Sequence, residues 1–250
     1  MVHEAAATGF ERKADAYSRG RPSYHPELVT RVAARCVGAV VADVGAGTGI
    51  FTAQLLAAGI DAVAIEPVAA MRTALAETLP TVSVFDGTAE SLPFISGTVG
   101  VLVVAQAFHW FDPVPTLTEM ARVLKPGGEL ICVWNVRDED VDWVAKYTEI
   151  LDAYAKDTPR YRDFAWRRGI EADRRFAFVE EWGIDNPQPS SPQLAVDRAL
   201  STSFIAALEA AEQASVADRI RSIVSPLGEH FDYPYRCEMQ VWKLNAEKTW

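Results

Sequence analysis

Cysteine is scarce in this chain, and the three present, Cys36, Cys132 and Cys237, stand far apart with no CxxC pair. An odd, scattered set of thiols excludes a disulfide scaffold and a cysteine zinc site, and it fits small core residues in a reducing cytoplasm. Long apolar runs are missing too: no stretch approaches the roughly 20 residues that cross a bilayer. The opening MVHEAAATGFERKAD has neither a basic start nor an apolar core, so neither a membrane span nor export is expected. Positive charge is in deficit, with 24 Lys and Arg against 34 Asp and Glu and a net charge of −10. A general nucleic-acid binder carries the opposite sign, which counts against nucleic acid as a partner. HExxH, GxSxG and a P-loop lysine are all absent, and with them the signatures of zinc peptidases, nucleophile-elbow hydrolases and P-loop enzymes.

What is present is an ordinary globular composition, 49% hydrophobic and 23% charged. Short β-branched apolar runs alternate with helical stretches. VVADVGA (40–46), Asp61 to Glu66, Val82 to Phe85, Gly100 to Ala105 and Glu129 to Trp134 read as strands, with helices at Thr48 to Ala58, Val68 to Thr78 and Pro115 to Leu124. Strands apolar at consecutive positions are covered on both faces, which predicts a parallel, doubly wound α/β sheet. From 137 to 175 the pattern turns helical and rich in arginine and aromatics, and it reads as a cap insertion. Phe176 to Ile184 and Tyr235 to Leu244 read as two late strands, NPQPSSP (186–192) as a loop, and Leu194 to Glu212 and Val216 to Val224 as helices. The expected organisation is 1–39 as helices covering a cofactor, 40–136 as the binding core, 137–175 as the cap and 176–250 as the rest of the sheet with its helices.

VADVGAGTGIF places Gly45, Gly47 and Gly49 between the first strand and its helix, where glycine lets a ligand lie against the main chain. A dinucleotide loop needs GxGxxG so that the helix end can face a pyrophosphate. Ile50 occupies the third position here, which disfavours a nicotinamide-dependent oxidoreductase and favours a ligand without phosphate, such as S-adenosylmethionine. Glu66 ends the second strand, where an acid can accept hydrogen bonds from both ribose hydroxyls. Pro67 and Met71 follow as an apolar pair able to enclose an adenine ring. GTAESLPF (87–94) would present main-chain donors and a polar side chain to the adenine edge.

Taken in order, FERKADAYSRGRPSYHPEL (10–28), VADVGAGTGIFT, AIEPVAAM, GTAESLPF, VVAQAFHWFD (103–112) and ARVLKPGGEL (121–130) make the chain resemble class I S-adenosylmethionine-dependent methyltransferases of the type 11, small-molecule branch. The resemblance implies a Rossmann-like seven-stranded sheet with an antiparallel last strand. It also implies that Asp43 and the backbone of Gly45, Ala46 and Gly47 hold the methionine part, Glu66 the ribose, and Thr88, Ala89 and Glu90 the adenine. Tyr17 and Arg21 would cover the cofactor, Arg21 as partner of its carboxylate. Many relatives carry an aspartate where this chain has Thr88, a weaker acceptor.

Methyl transfer from a sulfonium needs positioning more than acid or base chemistry. The acceptor motif of DNA amino-group methylases is missing; in its place AQAFHWFD sets Gln106 and His109 where side chains could face the transferred methyl. A histidine with an ordinary pKa near 6.5 could serve as general base for a hydroxyl or protonated amine, whereas a carboxylate or thiolate would need none. Trp110 and Phe111 read as pocket wall or core. Arg160, Arg162, Arg167, Arg168, Arg174 and Arg175 read either as a solvated face paired with Asp163, Glu171 and Asp173, or as a clamp for carboxylate or phosphate over the site. The expected partner is a small-molecule methyl acceptor. The alternative is a methyltransferase-like protein that binds S-adenosylmethionine without catalysis.

Overall fold

The computed structural model describes residues 21–246; Tyr17 and the rest of the segment expected to cover the cofactor up to residue 20 lie outside the described residues. In chain order the elements are α1 (Pro26–Cys36), β1 (Val41–Val44), α2 (Ile50–Ala57), β2 (Ala62–Ile65), α3 (Ala69–Thr78), β3 (Val84–Phe85), β4 (Val99–Ala105), α4 (Pro113–Val123) and β5 (Leu124–Arg137). There follow α5 (Asp142–Asp152), α6 (Ala165–Ala172), β6 (Phe176–Asp185), β7 (Gln188–Ser190), α7 (Pro192–Leu200), α8 (Ser203–Ala206), α9 (Ala210–Val224), β8 (Phe231–Tyr233) and β9 (Tyr235–Leu244). Helices α1, α4 and α7 open in the same way. His25, Asp112 and Ser191 each accept a backbone N–H of the first turn, and proline follows at a position whose own N–H has no helical partner.

Seven strands form one sheet in the order β3-β2-β1-β4-β5-β9-β6, and β9 runs antiparallel to both neighbours. The sheet is thus the doubly wound seven-stranded one that the strand pattern predicts. Both faces of its central strands are dry. Val41, Val101, Val103, Ile131 and Val133 pack under α1 and α2, while the alternate residues Ala42, Val44, Leu102, Val104, Leu130 and Cys132 pack on the opposite side under α4 and α6. A strand apolar at every position is what such two-sided covering requires. All three cysteines are buried as free thiols, and no helix of the described residues is long and apolar enough to cross a membrane.

The cap expected over 137–175 is divided differently. Helix α6 lies on the sheet: Trp166 and Ile170 belong to the same cluster as Leu102, Leu130 and Trp242. Helix α5 instead joins α7, α8 and α9 in a separate cluster, with Tyr147, Leu151, Val196, Ile205, Ile220 and Tyr233 at its centre. Two stretches distant in sequence therefore build one helical unit, roofed by the β7-β8 pair that arises in part of the loop expected at 186–192. The helix expected from Leu194 to Glu212 breaks after Leu200, because the Ser201 and Thr202 hydroxyls turn back to donate to the Arg198 carbonyl and compete with the helical pattern. Strand β5 runs longer at both ends than expected, and β3 shorter.

The placement of α6 has a measurable consequence. Ile170 is fully buried, so Ile170→Ala is expected to destabilise the protein by about 2–5 kcal/mol in urea unfolding, the range for removing a core isoleucine. A loss under about 1 kcal/mol would mean that α6 does not belong to the sheet's core.

Candidate active site

Strand β1 is the point at which chain order reverses, since its successor β2 lies on one side and β4 on the other. Ligands of open α/β sheets sit in the crevice at such a point, beyond the carboxyl ends of the strands. A cleft of about 1100 Å³ lies there. From the β1 end it is lined by Gly45, Ala46 and Gly47, from the β2 end by Glu66 and Pro67, and from α3 by Met71. Thr88, Ala89 and Glu90 line it from the loop after β3, Gln106 from the end of β4, and Arg21 from the chain before α1. Eleven residues singled out in separate motifs are thereby brought around one space.

The glycine loop is tied to β2 by main-chain bonds, with Gly45 N and Ala46 N donating to the Ile65 carbonyl at 2.8 and 3.1 Å. Glu66 completes the tie. Its Oε2 accepts from Gly47 N at 2.8 Å and its Oε1 from Val68 N at 2.8 Å, at 4% exposure. Burial pushes this carboxyl up from its ordinary range, and the two backbone N–H groups together with Arg72 oppose that shift. Each oxygen still has a lone pair to offer. Arg72 braces the same corner by donating to the carbonyls of Glu66 and Pro67 at 2.9 and 2.7 Å, and it holds Asp86 in a double hydrogen bond at the surface. Asp86 does not line the cleft, whereas Thr88 does.

Two expected residues are placed elsewhere. Asp43 is fully buried beneath the loop and does not line the cleft; its Oδ2 accepts from the Thr52 hydroxyl at 2.7 Å, tying β1 to α2. Burial pushes its carboxyl up to about 6, against the Thr52 bond. His109 lines a second, adjoining cavity and not the first. Its ring packs between Trp110 and Trp134, at centroid distances of 5.0 and 5.4 Å, and burial first, then the charges of Arg21 and Arg160, lowers its pKa to about 3. An imidazole that binds a proton so weakly is a poor general base, which corrects the expectation of an ordinary histidine here. Tyr17 lies outside the described residues.

Asn135, at the end of β5, is a site residue that motif reading passed over. Its Nδ2 donates to the carbonyls of Pro22 and Ser23 at 3.3 and 3.2 Å, its Oδ1 accepts from Asn186 at 2.9 Å and from the Cys237 thiol at 2.9 Å, and its own carbonyl accepts from Gln106 Nε2 at 2.7 Å. The Asn135 side chain thus fixes the segment carrying Arg21 against the sheet, while its main-chain carbonyl holds the Gln106 amide. Gln106 pays for that position with a φ of 58°, a left-handed conformation costly for a residue with a Cβ. Its only cue in the sequence is a polar residue ending an apolar strand.

The comparisons with known proteins agree with this geometry. Residues 42–132 match the methyltransferase domain family. An uncharacterized methyltransferase of Mycobacterium tuberculosis is 36% identical over 210 residues, covering 84% of this chain and 83% of the relative. The chain belongs to the class I S-adenosylmethionine-dependent methyltransferases, in the type 11 branch. Among solved structures the methyltransferase is similar in fold to a protein of Anaeromyxobacter dehalogenans assigned as a type II methyltransferase, with a TM-score of 0.61, 20% identity and coverage of 90% of this chain and 97% of the other. The YcgJ protein of Bacillus subtilis aligns with a TM-score of 0.57 at 16% identity, over 88% of this chain and 99% of its own. The cofactor of the methyltransferase is S-adenosyl-L-methionine, and the cleft fits it: a glycine cradle open to the space, a buried carboxylate at the β2 end and an apolar side formed by Pro67 and Met71.

Two glycines of the loop separate binding from packing. A Cβ on Gly47 would meet only Met71 Sδ at 3.8 Å and would enter the cleft, whereas one on Gly49 would strike Leu75 Cγ at 2.8 Å. Both have positive φ. Gly47→Ala is expected to cost about 1–2 kcal/mol of stability and to weaken S-adenosylmethionine binding at least about tenfold by calorimetry. Gly49→Ala is expected to cost about 2–4 kcal/mol of stability. Wild-type cofactor affinity in Gly47→Ala would remove the loop from the binding site.

Proposed function

We propose that the methyltransferase moves the methyl group of S-adenosylmethionine to a small-molecule acceptor in the second cavity, and that the accepting atom is a carboxylate oxygen. The observation that carries this reading is the border between the two cavities: Arg21, Pro22, Gln106, Trp110 and Asn135 line both. A molecule in the second cavity therefore meets the cofactor cleft across Gln106. That cavity is lined mainly by the side chains around Arg137, Arg160, Phe204 and Tyr235.

Bound S-adenosylmethionine supplies a methyl carbon already activated by its positively charged sulfur. The carboxylate oxygen gives the electron pair of the new carbon–oxygen bond, and the carbon–sulfur pair returns to sulfur, so charge is neutralised and no proton moves. A carboxylate is ionised at neutral pH and asks no base of the protein, which agrees with a histidine in the second cavity whose pKa is lowered by burial and by Arg21 and Arg160. The chain's own part is to hold the two reactants in line and keep water out. Gln106, braced by Val133 and Asn135, forms the border between the cavities, Trp110 walls it, and Arg21 sets a positive charge beside the acceptor. The fold by itself does not dictate methylation, since SpnF, similar in fold with a TM-score of 0.57, is named a [4+2]-cyclase.

Incubation with S-adenosylmethionine labelled in the methyl group and a panel of small acids is expected to yield an ester whose label alkali releases; label that survives alkali would place the methyl on nitrogen, sulfur or carbon and contradict the carboxylate assignment. His109→Gln is expected to keep turnover within about threefold, with no inflection near pH 6.5 in either protein. Since the native fold holds His109 unprotonated where the unfolded chain takes up its proton near 6.5, the wild type is also expected to lose stability as pH falls below that value, and His109→Gln to lose less.

A further inference from the structure

The second cavity is strongly cationic in a protein of net charge −10. Five guanidiniums line it, those of Arg21, Arg137, Arg160, Arg162 and Arg198, against one lining carboxylate, Glu139. Asp152 pairs with Arg160 and with Arg162, and Glu139 pairs with Arg162. The arginines come from elements far apart in the chain: Arg137 ends β5, Arg198 is on α7, and Arg160 and Arg162 follow α5. Arg167 and Arg175 go elsewhere, to Glu171, Glu181 and Asp173. The arginine-rich stretch is therefore split between a paired surface and this cavity.

Arg137 stands out within the group. Its Nε is closed off from solvent without a hydrogen-bond acceptor, and no carboxylate pairs with it among the described residues. It lies instead over the Tyr147 ring at 5.4 Å and is hydrogen-bonded to Tyr235. Arg198, 7% exposed, lies over the rings of Tyr233 and Tyr235 at 5.3 and 5.8 Å. Aromatic faces support a guanidinium but do not replace an anion, and a buried guanidinium N–H left without an acceptor, as at Arg137 Nε, is unfavourable. The planar forks that suit carboxylate and phosphate are held here in advance. Arg137, Arg160 and Arg198 line the second cavity alone, away from the border with the cofactor cleft.

We infer that this end of the cavity is an anion subsite: the acceptor carries, remote from the atom that is methylated, a second carboxylate or a phosphate held by Arg137 with Arg198 and Arg160. The inference rests on the acceptor reading above and makes the acceptor a small polyanion and its product a monoester that keeps the charge of the remote group.

The test is calorimetry at low ionic strength on protein saturated with S-adenosylhomocysteine. The probes are succinate, glutarate and adipate, their monomethyl and dimethyl esters, and 3-phosphopropionate. At least one diacid and its monomethyl ester are expected to bind at least about tenfold tighter than the uncharged dimethyl ester. Arg137→Met is expected to erase that difference and Arg137→Lys to keep part of it, both with S-adenosylhomocysteine affinity within about twofold of wild type. Binding of 3-phosphopropionate at least about tenfold tighter than every diacid would identify the remote group as phosphate, and the reverse order as carboxylate; both support the subsite. No probe bound below about 10 mM, equal binding of charged and uncharged forms, or indifference to Arg137→Met would overturn it. Those failures, with S-adenosylhomocysteine binding intact, leave the cofactor site standing, whereas a wild-type protein that binds no S-adenosylhomocysteine would overturn the reading beneath it.

Discussion

A single buried carboxylate holds the cofactor end of this protein together. Glu66 accepts the backbone N–H of Gly47 from one loop and that of Val68 from the next, so the turn after β1 and the turn after β2 are fixed relative to each other at the place where the sheet's strand order reverses. Without that bridge the glycine loop, which has no side chains to anchor it, would rest on the two bonds to the Ile65 carbonyl alone. The same charge is buried at some cost, and burial pushes its carboxyl upward. Ligand hydroxyls donated to it would lower that cost and so would link the stability of the turn to occupancy of the cleft.

The acceptor end follows a different principle. Asn135 gathers the segment before α1, the end of β4 and the start of β7 into one polar knot inside an otherwise apolar region, and Gln106 takes up a left-handed backbone at its edge. Unlike the glycine loop, this side is built by side chains from several stretches far apart in the chain. The helical unit of α5, α7, α8 and α9 stands against it and brings Arg198. Sheet and helical unit each supply part of the acceptor cavity, so its shape depends on their packing. The cofactor cleft depends mainly on the sheet.

That contrast explains how much was legible in the sequence. Strand runs such as GVLVVA show burial on both faces at once, and the glycine loop, Glu66 and the Thr88 to Glu90 turn sit at fixed distances from strand ends, so the sheet and the cofactor cleft could be read from local pattern. Trp166 and Ile170 look the same in sequence whether their helix covers a sheet or a cap, and α6 was therefore assigned to the wrong layer. The break after Leu200 depends on Ser201 and Thr202 bonding backward, a choice that composition does not disclose. His109 shows the limit most clearly: its place after β4 is legible, but its protonation is set by burial and by Arg21 and Arg160, which tertiary structure alone brings near. Asp43 sits in the expected motif yet faces Thr52 beneath the loop instead of the cleft.

The role of Glu66 as the charge that organises the cofactor cleft is open to one direct measurement. Calorimetric titration of S-adenosylhomocysteine into Glu66→Gln should show affinity reduced at least about tenfold, because an amide offers one acceptor oxygen and turns a donor toward either Gly47 N or Val68 N. Circular dichroism should meanwhile report an intact fold. Affinity within about twofold of wild type would contradict the assignment, and would mean that the cofactor's hydroxyls are held by another group.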